Sequence, residues 1–230
     1  MALKGSKKKG ELKMKTMIAV PCMNTVETEF YTSCMEMQRV GETQMGVVMG
    51  SLVYTARNDL AEHAIAAKTD YVLWLDSDVV FAPSLMADLM KDIEGRDIVS
   101  AVYHMRREPY KPVLWKKLRM GLTEDENETE DYRNYPKDGI FEIEGCGFGA
   151  VLMRTEVLKT VREKYHNLFA PLPGYGEDLS FCIRARGCGY KIHCDPKIQV
   201  GHKAATIVTN ETWNAYWKQR EAMWKAAEGE

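Results

Sequence analysis

Asp76 and Asp78 flank a single serine, directly behind the apolar run Tyr71-Val72-Leu73-Trp74-Leu75. That run is β-prone and too short for a typical helix, so it reads as a buried parallel strand that ends abruptly in two carboxylates. Two aspartates around one small residue at a strand end can offer hard oxygen ligands to a divalent cation, with water and diphosphate oxygens completing the octahedron. A second acidic pair stands in Gly176-Glu177-Asp178 at the predicted start of a helix. There the free amides and the helix dipole favour ionised oxygen. Such a carboxylate can take a proton, or it can simply cap the helix. The third element is Gly201-His202-Lys203, where a neutral imidazole nitrogen could complete a metal's protein ligands, although a lone histidine is usually structural.

These groups need a frame that holds them together, and the order of elements supplies one. Residues 17–21 form an apolar run ended by proline, and Gln44 to Gly50 reads as a weaker second strand. A helix is expected between them, from Thr28 to Val40. A second runs from Thr55 to Ala67, with Leu60, Ala61, Ala64, Ile65 and Ala67 at helical spacing. After the strand at 71–75 come a helix over Pro83 to Lys91 and a strand over Asp97 to Tyr103. This alternation predicts an α/β fold with a mostly parallel central sheet and helices on both faces, and ligands gather at the carboxyl ends of such strands.

Farther along, Thr123 to Asp131 holds six carboxylates and no apolar residue, which predicts a solvated surface loop or a lid that orders with substrate. Strands are expected at 140–143 and 150–153. Between them, Gly145, Gly147 and Gly149 let the backbone approach a ligand or a neighbour closely. Their alternate spacing is not the GxGxxG of a dinucleotide site. Helices follow at 155–165 and 178–187, with a return strand at Lys191 to Cys194. A terminal helix over Glu211 to Ala227 would gather Trp213, Tyr216, Trp217 and Trp224 on one face, for packing on the parent domain or for a homodimer.

The bulk composition excludes several classes. A net charge of -2 over 230 residues removes the concentrated basic face expected of a protein that binds a nucleic acid polymer. Six cysteines without a CxxC pair fit reduced thiols. Residues 1–15 are lysine-rich, lack the apolar stretch of a signal peptide and read as a flexible basic tail, so a cytoplasmic location is expected. No stretch approaches the ~20 apolar residues of a transmembrane helix. The organisation expected is thus this tail, one domain over 16–204 and the aromatic helix over 205–230.

Together, Asp76-Ser77-Asp78, Gly176-Glu177-Asp178 and Gly201-His202 resemble, in order and separation, the GT-A fold glycosyltransferases, especially the family 2-like enzymes of bacteria and phages. Val20-Pro21, Ala56-Arg57-Asn58 and the run Phe181 to Ile192 agree with that pattern, which spans roughly residues 17–203. The resemblance implies that Asp76 helps hold the nucleotide and that Asp78 and His202, with Asp76 beside them, ligate Mn²⁺ or Mg²⁺. It implies that Asp178 acts as general base next to Glu177, and that Pro21, Asn24, Arg57, Asn58 and Ser77 line the nucleotide pocket. The donor would be a nucleotide-diphosphate sugar, a UDP-sugar first, and the acceptor a glycan, lipid-linked or protein hydroxyl. A base opposite the leaving group implies inversion. A retaining GT-A enzyme, a nucleotidyltransferase and a non-catalytic glycan-binding protein are the alternatives. No QxxRW-type signature of the processive enzymes is present, so transfer of a single sugar fits better than polymer synthesis.

Overall fold

The structure is a computed structural model that describes residues 14–204. The terminal aromatic helix, and the homodimer it would mediate, lie outside the described residues, as does most of the basic tail. In chain order the elements are β1 (Lys15–Cys22), α1 (Thr28–Glu36), β2 (Glu42–Met49), α2 (Val53–Ala66), β3 (Tyr71–Leu75), β4 (Val79–Val80), α3 (Leu85–Asp92), β5 (Ile98–Val102) and β6 (Leu114–Arg119). A 3₁₀ turn (Glu124–Glu126) precedes β7 (Glu128–Asp131), β8 (Phe141–Ile143), β9 (Gly145–Cys146) and β10 (Ala150–Arg154). The chain continues through α4 (Thr155–Tyr165), α5 (Glu177–Gly187), β11 (Ile192–Gln199) and β12 (Gly201–His202).

Seven strands make one sheet in the order β2-β1-β3-β10-β5-β11-β8. β1, β2, β3, β5 and β11 run the same way, while β10 and β8 are antiparallel to their neighbours, so the sheet is mixed with a parallel majority. The unbroken apolar runs follow from burial on both faces. Met17, Ala19, Val72, Trp74 and Val151 point into one core with Leu60 of α2, Val157 of α4 and Phe181 of α5. Ile18, Val20, Leu73, Leu75 and Leu152 point into the other, with Phe30 of α1 and Leu85 and Met86 of α3. Successive residues thus alternate between two helical layers, which is the α/β/α architecture expected. Among the described residues no helix is long and apolar enough to cross a membrane.

The chain leaves β1 toward β2 on one side and returns to β3 on the other, so a crevice opens where the strand order reverses, above the carboxyl ends of β1 and β3. Two small sheets flank it. β4 and β12 pair antiparallel, with His202 opposite Val79. β7, β6 and β9 form a three-stranded antiparallel sheet.

That second small sheet corrects the reading of residues 123–131. Thr123 caps the 3₁₀ turn in a capping box, and Glu128–Asp131 is a strand paired with β6. The strand needs no apolar residue because its carboxylates meet lysines: Glu128 with Lys117 at 2.5 Å, Glu130 with Lys116 at 2.9 Å and Asp131 with Lys111 at 2.7 Å. Cross-strand charge pairing on an exposed edge replaces burial. Helix α1 is also shorter than expected, because Met37 is extended and buries its side chain in the core.

Candidate functional site

A cleft of about 450 Å³ lies at the crevice. The loop after β1 contributes Pro21, Cys22, Met23, Asn24, Thr25 and Glu27. The start of α2 contributes Val53, Ala56 and Arg57, the end of β3 contributes Asp76, Ser77 and Asp78, and Arg106, Glu177 and His202 close the wall. Of the residues expected at the site, Pro21, Asn24, Arg57, Asp76, Ser77, Asp78, Glu177 and His202 therefore face one space.

Arg57 organises the inner wall. It is 2% exposed, donates from Nη2 to Asp76 Oδ1 at 2.7 Å and from Nε to Glu177 Oε1 at 3.4 Å, and its guanidinium lies over the rings of Trp74 and Phe148. Burial opposes its charge, but Asp76 and Glu177 outweigh that penalty and hold it above the ordinary arginine value. One buried cation thus ties the end of β3 to the first turn of α5 across the crevice. Its Nη1 is buried and has no protein partner.

Asp78 and His202 form the outer pair. The β4–β12 ladder brings His202 to the end of β3, and the Lys203 N–H donates to the Asp78 carbonyl at 2.8 Å. His202 Nδ1 lies 2.9 Å from the His104 carbonyl, an acceptor, so Nδ1 carries the proton. The bare nitrogen, Nε2, then faces Asp78 Oδ2 at 3.4 Å. Two acceptors that face each other need a proton or a cation between them. The hydrogen bond to Asp78 raises His202 above its usual value against the opposing effect of burial. Burial would raise Asp78, but His202 and Arg106 outweigh it and hold the carboxyl below the usual range. An imidazole with its second nitrogen anchored to a backbone carbonyl, beside a carboxylate at a strand end, is the donor set that Mn²⁺ or Mg²⁺ accepts. Of the three expected ligands, Asp78 and His202 lie together while Asp76 is bound to Arg57, and among the described residues no group of three or more His, Cys, Asp or Glu side chains is placed to hold a metal ion.

Asp178 stands apart from the cleft wall. It is half-buried behind Glu177 and accepts the Leu179 N–H at 2.7 Å. Burial, then the Glu177 charge, push its carboxyl up to about 7. Asn58 also lies away from the cleft. Its side chain accepts the Phe169 N–H at 3.0 Å and meets Asn167, so it fastens the segment before α5 to α2 instead of touching a nucleotide.

One contributor escaped the sequence reading. Tyr103, 5% exposed at the end of β5, packs edge-on to His202 at 5.5 Å, and burial followed by the charges of Asp76 and Asp178 keeps its hydroxyl protonated. It explains two of the alternating glycines: a Cβ at Gly149 would meet its ring at 2.9 Å and one at Gly147 would collide with its hydroxyl, whereas a Cβ at Gly145 would meet Leu118 at 2.9 Å. The close neighbour those glycines admit is therefore a side chain. Arg106 reaches Asp78 Oδ2 at 2.6 Å. The sequence offers it, with Arg107, either as a diphosphate contact or as an exposed arginine on the loop beyond β5, and no motif ties it to the aspartates.

Likeness to known proteins agrees with this geometry. A model of the Anp1 family matches residues 49–160, a span that includes Arg57, Asp76, Asp78 and Arg106. The mannan polymerase complex subunit MNN9 of Candida albicans is 28% identical, over 66% of this chain and 49% of that protein, so the chain spans about half the length of the curated relative it matches. The crystal structure of A197 from STIV superposes with a TM-score of 0.56 at 17% identity, covering 85% of this chain and 99% of that one. GalNAc-T7, solved with UDP, GalNAc and Mn²⁺, superposes with a TM-score of 0.53 at 13% identity, covering 83% of this chain and 43% of that one. The chain has the GT-A glycosyltransferase fold and is similar to the Anp1 family over residues 49–160, the stretch that carries Arg57, Asp76, Asp78 and Arg106.

Proposed function

We propose that this chain is a glycosyltransferase that moves a sugar from a nucleotide-diphosphate donor to an acceptor hydroxyl. The observation that carries the reading is the pairing of Asp78 Oδ2 with Nε2 of His202 in the wall of a cleft built on the strand-order reversal. Asp78 and His202 would hold Mn²⁺ or Mg²⁺, which when bound neutralises charge on a departing diphosphate. The fold shared with a protein solved with UDP, GalNAc and Mn²⁺ supports that donor class.

The protein's own groups then have separable tasks. Arg57 fixes Asp76 and Glu177, so the inner wall is rigid before substrate arrives. Pro21, Asn24 and Ser77 line the space for the nucleoside. Asp178, ionised, takes the acceptor hydroxyl's proton while the acceptor oxygen bonds to the anomeric carbon and that carbon's bond to the phosphate oxygen breaks. A carboxyl near neutrality suits this exchange, and the outcome is a single displacement with inversion. One observation favours a second reading, retention: Asp178 lies behind Glu177, outside the cleft wall, and Glu177 is tied to Arg57. The anomer formed separates the two readings.

The likeness to a mannan polymerase complex subunit supports including mannosyl donors beside the UDP-sugars and a glycan among the acceptors to test. Incubation with UDP- and GDP-sugars in Mn²⁺ should release one nucleoside diphosphate, and the release should disappear without metal and in Asp78→Ala. Pyrophosphate release from a nucleoside triphosphate would instead favour a nucleotidyltransferase. No turnover of any donor by the folded protein would overturn the proposal.

A further inference from the structure

The atom of Asp78 that faces His202 is already in use. His202 Nε2 lies 3.4 Å from Asp78 Oδ2, and Arg106 Nη1 donates to that same oxygen at 2.6 Å. A cation that bridges His202 Nε2 and Asp78 Oδ2 shares this oxygen with the guanidinium or displaces it. The arginine can leave: its side chain is 60% exposed, against 22% for Asp78 and 16% for His202. Its backbone is held, because Met105 N–H donates to the Lys111 carbonyl, His104 bridges Pro112 and Val113 N–H donates to the Tyr103 carbonyl. The hairpin base stays fixed while the side chain swings.

The charge around the cleft says where it goes. Glu27, Asp76, Asp78 and Glu177 face the space against two arginines. Arg57 is buried and spent on two carboxylates, which leaves Arg106 as the cleft arginine free to turn. A diphosphate brings further negative charge into this acidic wall, and a guanidinium pairs with phosphate oxygens in bidentate geometry.

We propose that Arg106 is a placeholder for the divalent cation: without metal its guanidinium occupies Asp78 Oδ2, and metal binding releases it to grip the diphosphate of the donor. The inference rests on the proposed donor site and adds a role for a residue outside its motifs. It predicts that one substitution moves two affinities in opposite directions. An exposed ion pair is weak, so the competitor it represents is modest.

Titration calorimetry of wild type and Arg106→Ala, first with Mn²⁺ alone and then with UDP and GDP in saturating Mn²⁺, tests this. In the variant, Mn²⁺ alone should bind about 2- to 5-fold more tightly, and the nucleoside diphosphate at least about 10-fold more weakly; Arg106→Lys should fall between. Circular dichroism checks that each variant is folded. Unchanged or weakened Mn²⁺ binding in Arg106→Ala overturns the placeholder role, and unchanged nucleotide binding overturns the release. Wild type that binds neither Mn²⁺ nor nucleotide overturns the donor-site reading itself, which distinguishes that failure from failure of the inference.

Discussion

Replacing Asp178 with asparagine should stabilise the protein, and more so as the pH rises. The folded state keeps a proton on Asp178 up to about 7, whereas the ordinary carboxyl value is 3.8. Both states are protonated below about pH 4, so the carboxyl then carries no differential cost. Between pH 4 and 7 the unfolded chain ionises first, and stability drains from the wild type. Above 7 both states are ionised and the deficit is constant. The two values lie about three pH units apart, which at about 1.4 kcal/mol per unit caps the deficit near 4 kcal/mol. Asp178 retains some solvent contact, so about 2 kcal/mol is the working figure. For a chain of this length that is a rise in Tm of about 4–8 °C. Asparagine keeps an oxygen for the Leu179 N–H, so no bond is lost. Thermal unfolding of both proteins at pH 4.5, 6 and 8, without metal or nucleotide, should show a Tm gap that is small at 4.5 and full at 8. Transfer activity should fall about 10²- to 10⁴-fold in the same variant. A gap independent of pH, or a wild type that is the more stable at pH 8, would refute the reasoning about burial and Glu177.

Other consequences follow from the same geometry. Arg57→Ala leaves Asp76 and Glu177 facing each other without their shared cation and should cost about 3–5 kcal/mol by denaturant unfolding, whereas Arg57→Lys should recover only part. Gly147→Ala should cost about 1–3 kcal/mol because its methyl meets the Tyr103 hydroxyl, and adding Tyr103→Phe should return some of the loss; additive costs in the double variant would show that the two do not touch. Amide hydrogen exchange across 128–131 should be slower than across 136–139, because only the former pairs with β6. Equal exchange rates would return the acidic stretch to a loop.

The alternation of short apolar runs with helical spacing made the sheet legible, since β1, β3, β5 and β10 are buried on both faces and must be apolar throughout. β6 and β7 were not legible in that way. Leu114 and Leu118 bury one side of β6, but Lys116, Lys117 and the carboxylates of β7 are held by cross-strand charge, which leaves no hydrophobic period in the sequence. At the site, Asp76 and Asp78 announced themselves because the run of five apolar residues ends abruptly in two carboxylates. His202 carries no such local mark; it matters because a two-residue ladder sets it against Val79. Asn58 shows the converse, since the resemblance put it in the pocket while its side chain accepts the Phe169 N–H. The alternating glycines signalled a close approach, yet only the fold shows that Tyr103 is the neighbour of Gly147 and Gly149.

The most direct test of the account is calorimetric titration of UDP and GDP into the wild type, Asp78→Ala and His202→Ala, each with and without Mn²⁺. The account predicts that one nucleotide binds the wild type only when Mn²⁺ is present and that either substitution abolishes this metal-dependent binding while the protein stays folded. Nucleotide binding that is indifferent to Mn²⁺ and survives both substitutions would contradict the central claim that Asp78 and His202 form the donor's metal site.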